Sequence, residues 1–187
     1  MSAVYLSPWR IDVTVRDSVG DRRPVAIAPL ARAIAAALDA AGAPAPASIG
    51  LILSDDPELA ALNESQLGHD GPTDVLSFPL LPPEAFPPHD GDIDRGPPPR
   101  PGDAAFFSGP LGRRIHLGDI VVSVERAAEQ AAAGHGGQTG DVRWSIRDEL
   151  RLLVTHGALH ICGWNHAEPD EERAMRALEG RLLAARR

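Results

Sequence analysis

The chain has 187 residues, of which 43% are apolar and 24% charged, and its formal net charge is −8. That length can bury one proper core, and the composition is that of a soluble globular protein rather than a disordered or fibrous one. The lone cysteine, Cys162, excludes an internal disulfide framework, and the acidic balance disfavours non-specific attraction to a polyanion.

The first stretch, MSAVYLSPWRIDVTVRD, lacks the basic-then-apolar order of a secretory signal. Arg, Asp or Pro interrupts every apolar run before it reaches membrane-spanning length, so a cytoplasmic protein without membrane contact is expected. Trp9, Ile11, Val13 and Val15 alternate with polar neighbours, which predicts a strand over Trp9–Val15. Asp17 to Pro24 reads as a turn. Leu30, Ile34 and Leu38 recur at helical spacing in an Ala-rich run, predicting a helix from Ile27 to Ala41. Ser48–Leu53 is a short apolar strand. Ser54-Asp55-Asp56-Pro57-Glu58 then offers cap residues, a first-turn Pro and an early acid for a helix through Leu62.

Thr73–Pro79 and Asp119–Val124 read as further strands. Between them, from about 81 to 114, Pro, Gly and Asp crowd out any helical or strand period, so this segment is read as a long mobile insertion that buries no core. Glu125–Ala133 reads as a short helix, followed by a Gly-rich turn. The next helix runs from about Ser145 through Ile161. The last follows Pro169, with Asp170, Glu171 and Glu172 at its start and Arg186 and Arg187 at its end, as the helix dipole favours. Interspersed strands and helices predict one α+β domain over residues 1–187, a small sheet packed with helices.

The chemistry concentrates in Thr155–His166. His156 and His160 lie four apart on the predicted core helix, so both imidazoles share one face. Gly163 follows, where a helix can end in a left-handed turn and return His166 to the same point. Three His around a tetrahedral ion leave a fourth position for water, the arrangement of a catalytic zinc site. A metal-bound water, with its pKa lowered toward ~7, is the expected source of the nucleophile. One metal ion per chain, held by His156, His160 and His166, is therefore expected at the end of that helix; tetrahedral geometry points to zinc, though imidazole also suits copper, nickel and iron. Metzincin proteases share this three-His spacing but carry a Glu after the first His as general base; here that position is Gly157, which argues against peptide hydrolysis. His69, His89, His116 and His135 lie in loop-like sequence and read as incidental. Cys162 reads as a buried apolar residue, and Glu149 as a solvated helix acid. Asp119 reads as a cap or turn residue at a strand start.

His156-Gly157-Ala158-Leu159-His160-Ile161-Cys162-Gly163-Trp164-Asn165-His166 resembles the H-G-x-L-H-x-x-G-[YFW]-D-H motif of the YbeY family of rRNA-maturation endoribonucleases. Leu62-Asn63 with Pro72-Thr73-Asp74-Val75-Leu76-Ser77-Phe78-Pro79, and Leu117-Gly118-Asp119-Ile120-Val121-Val122-Ser123, are similar to two further blocks of that family, in the same order. The resemblance implies a zincin-like α+β fold with a mixed four-stranded sheet and a zinc site at His156, His160 and His166. It implies a zinc-dependent, single-strand-specific endoribonuclease acting in 16S rRNA maturation and ribosome quality control, with single-stranded RNA, rRNA and ribosomal particles as partners.

Two positions depart from the family pattern. Gln66 and Leu67 stand where it has Tyr-Arg, and Leu cannot hold a phosphate as Arg does. Asn165 stands where it has Asp, keeping the hydrogen-bonding shape without the charge. Arg113 and Arg114 are the expected substitutes for the missing cation, and Thr73 and Ser77, which share parity, are the expected hydroxyls at the substrate. Two other readings stay open: a non-catalytic ribosome-associated metal-binding factor, and a metal hydrolase of a non-RNA substrate.

Overall fold

The computed structural model describes residues 2–20, 25–89, 114–134 and 144–185. Trp9–Val15 alternates buried Trp9, Ile11 and Val13 with half-exposed Arg10, Asp12 and Thr14, the period of a strand with one face on a core. It is β2 in chain order, because Ser2–Leu6 (β1) folds back on it antiparallel, with Val4 opposite Ile11. Ala47–Ser54 (β3) runs parallel to β2, and Ile115–Ser123 (β5) runs parallel to β3 on its other side. Val75–Pro79 (β4) forms the far edge, antiparallel to β5. The sheet order is therefore β1-β2-β3-β5-β4.

The architecture is α+β with a mixed sheet, but the sheet has five strands where four were expected. The extra strand is β1. Ser2, Ala3 and Tyr5 are exposed, so its burial gives no clean alternation, and pairing with β2 alone defines it.

Asp17–Gly20 (α1) is a single helical turn where the sequence reads as a turn; residues 21–24 lie outside the described residues. Ile27–Ala40 (α2) buries Leu30, Ile34 and Leu38 as its spacing predicts. Asp56–Leu67 (α3) starts where Asp55 accepts the Glu58 N–H at 3.1 Å, and ends at Gly68 with φ +69°. It runs past the expected end at Leu62 because Asn63 is buried, its Nδ2 donating to the Gly71 carbonyl at 2.9 Å and so fastening the loop ahead of β4. Val124–Ala133 (α4), Ile146–Ile161 (α5) and Pro169–Ala184 (α6) complete the chain; Arg186 and Arg187 lie outside the described residues. α5 is the central helix, touching β4, β5, α2, α4 and α6.

The described start of the segment read as an insertion does contribute to the core. Pro83–Ala85 forms a 3-10 turn that carries Phe86, 2% exposed, into the main apolar cluster. A single aromatic needs no periodicity to be buried, which is why a periodicity argument misses it. Residues 90–113, including Arg113, lie outside the described residues. Asp119 and His116, read as a strand-start cap and a loop residue, are both inside β5, with His116 Nε2 3.3 Å from Asp119 Oδ1. Gly50 makes room for the Asp119 carboxylate across the β3–β5 pairing.

Gly118 adopts φ +147°, and a Cβ there would collide with the Phe78 carbonyl of the paired strand. Gly118→Ala is therefore expected to destabilise the protein by ~1–3 kcal/mol; an unchanged midpoint in chemical denaturation would contradict this placement.

Candidate metal centre

α5 begins with a capping box: Ser145 accepts the Asp148 N–H, and the Asp148 carboxylate accepts the Ser145 N–H at 3.1 Å. About three turns on, the helix carries His156 and His160 one turn apart. It ends in paired capping bonds, Gly163 N–H to His160 carbonyl and Trp164 N–H to Leu159 carbonyl, both 3.0 Å, with Gly163 at φ +82°. This is the Schellman pattern, which turns the chain sharply back. The Trp164 indole is stacked on His89, ring centroids 3.9 Å apart. His89 is thus a packing partner of the turn, a role its loop-like sequence did not suggest.

The turn delivers His166 beside the other two rings. Centroids lie 4.5 Å apart for His156–His160, 5.0 Å for His160–His166 and 5.4 Å for His156–His166. One nitrogen from each ring lies within 4.8 Å of the others. The remaining nitrogens of two rings are occupied: His156 Nδ1 is 2.7 Å from Glu179 Oε1, and His160 Nδ1 is 2.9 Å from the Trp164 carbonyl. Both partners accept, so Nδ1 donates in each ring and the Nε2 lone pairs face each other at 3.0 Å. Two lone pairs at that separation repel unless a proton or a cation lies between them. The donor set therefore fits a metal ion of imidazole preference, and an acceptor behind a ligating His is the usual orienting device. Asn165 Oδ1 accepts the His166 N–H at 2.9 Å, doing what an Asp oxygen would do in that turn.

Burial, and then the neighbouring His156 and His166, push the His160 imidazole down to about 4. It is therefore neutral across the physiological range. Cys162 is buried, which pushes its thiol up to about 12, and it stands outside the histidine set.

A cleft of about 450 Å³ reaches all three imidazoles, with β4 and the loop before it as one wall. Thr73 and Ser77 line it together, as do Asp74 and Leu67. Asp74 caps β4, its Oδ1 accepting the Val75 N–H at 2.8 Å and its Oδ2 accepting from Gln130 at 2.9 Å. Ser77 Oγ donates to the Gly157 carbonyl at 3.1 Å. Gly157 faces the sheet: a Cβ there would lie 2.8 Å from Ile120 Cγ2 and 3.0 Å from Ser77 Oγ. A carboxylate after the first His would thus point into the strands, not toward the rings.

The two arginines expected to supply a cation are not brought to the cleft by any described contact. Arg114 donates to the Pro8 carbonyl at 2.5 Å, near the start of β3, and Arg113 lies outside the described residues. Glu149 is 3% exposed and accepts from Trp144 Nε1 at 2.5 Å, which corrects its reading as a solvated acid. Glu179 was missed altogether. It sits 23 residues after His156 in an acidic helix, and the general need of a ligating His for an acceptor is a signal without an address.

Glu179→Ala is expected to weaken metal binding about 10–100-fold in chelator competition while the helix content stays constant. In the metal-free protein, His160 takes its proton near pH 4 when folded but near its ordinary 6.5 when unfolded. Between those values the unfolded chain binds more protons, so stability should fall as pH is lowered through that window. A pH series of denaturation curves checks it, and the His160→Gln protein should show a shallower slope.

A family model described as Endoribonuclease YbeY matches residues 22–187. A relative so named from Salinispora tropica is 43% identical over 150 residues, 80% of each chain. One from Thermobifida fusca is 36% identical over 156 residues, covering 83% of this chain and 82% of its own. The solution structure of TM1509 from Thermotoga maritima covers 94% of this chain and 90% of its own at TM-score 0.49 and 18% identity. With a motif that places three imidazoles around one point and a family match over nearly the whole chain, this protein belongs to the endoribonuclease YbeY family.

Proposed function

We propose that this chain is a zinc-dependent, single-strand-specific endoribonuclease of the cytoplasm, acting on rRNA within ribosomal particles in 16S maturation and ribosome quality control. The observation that carries the reading is the convergence of His156, His160 and His166 at the floor of a solvent cleft walled by an edge strand. Three imidazoles with one side open suit catalytic zinc. The chemistry zinc supplies in such a site is Lewis acidity toward a phosphodiester oxygen and neutralisation of its charge.

The chain's own groups then orient the substrate. Asp74 and Leu80 share backbone hydrogen bonds with β5, through Ser123 and Leu117. By the alternation of an antiparallel ladder, the Ser77 N–H and carbonyl point to the outer edge of β4. That N–H is a donor for a phosphate oxygen, whereas the Ser77 hydroxyl hydrogen is spent on Gly157. Glu179 and the Trp164 carbonyl hold two ligand rings in one tautomer. The closed side of Gly157 leaves the protease base no place, so a peptide is the weaker substrate.

One observation favours a non-catalytic, ribosome-associated metal-binding factor. Leu67, 55% exposed, stands at the cleft, and none of the described residues lining the cleft is an arginine. Metal analysis and cleavage of single-stranded RNA separate the two. The enzyme reading expects one zinc per chain and cleavage that a chelator abolishes, zinc restores and His156→Ala lowers by at least ~100-fold. Stoichiometric zinc with intact RNA would instead favour the non-catalytic factor, and full cleavage by His156→Ala would remove the metal from the chemistry.

A further inference from the structure

A second cavity, of about 560 Å³, opens between α5 and α6 and shares His156 and His166 with the β4 cleft. Its size falls within the ~300–1,000 Å³ of small-ligand sites. Val75, Leu152, Leu153, Met175 and Leu183 give it apolar walls. Among the described residues its polar lining is made mainly of acceptors: the carboxylates of Asp74, Glu149, Glu172 and Glu179. Gln130 donates to Asp74, Trp144 to Glu149 and Arg176 to Glu172, and Arg176 is the one cationic side chain beside the four carboxylates among the described lining residues. A carboxylate offers about four lone-pair sites, so those of Asp74, Glu172 and Glu179 keep acceptor capacity for a ligand.

Gly180 adds an independent observation. It lies within α6, lines this cavity, and a Cβ there would meet nothing within 4 Å. Glycine weakens a helix interior, and no close packing requires it here. Its effect is to leave the cavity open on the α6 side.

We propose that this cavity receives an unpaired nucleobase next to the phosphodiester at the imidazoles, and that its acceptor lining favours bases presenting amino groups. The inference rests on the endoribonuclease reading above. Like charge keeps phosphate out of the carboxylate-lined cavity, so the backbone stays in the β4 cleft and the base turns toward α6. Adenine, cytosine and guanine each present an amino group to such acceptors, whereas uracil presents two carbonyls and one N–H. Apolar walls suit the faces of the ring. A base held in a duplex cannot enter without leaving its stack, so the same cavity would read strandedness.

The test uses the full-length, zinc-loaded protein titrated with adenosine, cytidine and uridine 5′-monophosphates, followed by methyl NMR of Leu152 and Leu183. The adenosine and cytidine nucleotides should shift these signals saturably, with the uridine nucleotide about fivefold weaker or more. Gly180→Phe should abolish the response while zinc content and circular dichroism stay unchanged, and Gly180→Ala should retain it. Gly180→Leu replaces the Phe variant if that one loses helix. Equal binding of the uridine nucleotide, no response to any of the three, or a response that survives the blocked cavity would overturn the proposal. Cleavage of single-stranded RNA is scored on the same samples. Cleavage without a nucleotide response sinks the cavity alone, and a nucleotide response without cleavage sinks the endoribonuclease reading alone.

Discussion

Two imidazole nitrogens held 3.0 Å apart, each with its opposite nitrogen tied to an acceptor, are the constraint around which the rest of this molecule is arranged. Such a contact is unfavourable in isolation, and three elements hold it in place. α5 sets the spacing of His156 and His160. The glycine turn at its end supplies both the third imidazole and the carbonyl that fixes the second. α6 brings Glu179 against the first. The burial that lowers the basicity of His160 is therefore part of the same arrangement that keeps its lone pair available for a cation.

The position of α5 follows from packing. Gly157 lets the helix backbone approach β4 and β5 to a distance that a Cβ would forbid, and the Ser77 hydroxyl fastens the two at that point. Because β4 is the last strand of the sheet among the described residues, its outer backbone groups meet no strand there and become a wall of the cleft. Met175 and Leu178 seat α6 in the core. The rigidity of the imidazole cluster is thus that of the core helix, and its accessibility is that of an edge strand.

Electrostatics divides the surroundings of the cluster in two. On the β4 side the described residues of the cleft offer hydroxyl and main-chain groups with one carboxylate, Asp74. On the α6 side four carboxylates line the neighbouring cavity. A chain of net charge −8 can meet a polyanion productively only where a cation is concentrated, and the convergent imidazoles are where this fold provides for one.

The sequence by itself determined what depends on near neighbours along the chain. The period of Trp9–Val15, the spacing of Leu30, Ile34 and Leu38, the caps of α3, the i,i+4 histidines and the glycine that ends α5 are all local, because hydrogen bonds and side-chain directions within a helix or strand repeat over a few residues. The convergence of the three imidazoles was legible for the same reason, since His156 to His166 is one helix end and one turn. Tertiary structure alone decided what depends on distant partners. It paired β1 with β2 and buried Phe86 outside any periodic element. It turned Glu149 inward to Trp144, engaged Arg114 with a carbonyl near the β1–β2 turn, and set Glu179 behind His156. A carboxylate on an acidic helix looks like any other until packing chooses which one meets an imidazole, and that choice belongs to the three-dimensional fit of α5 against α6.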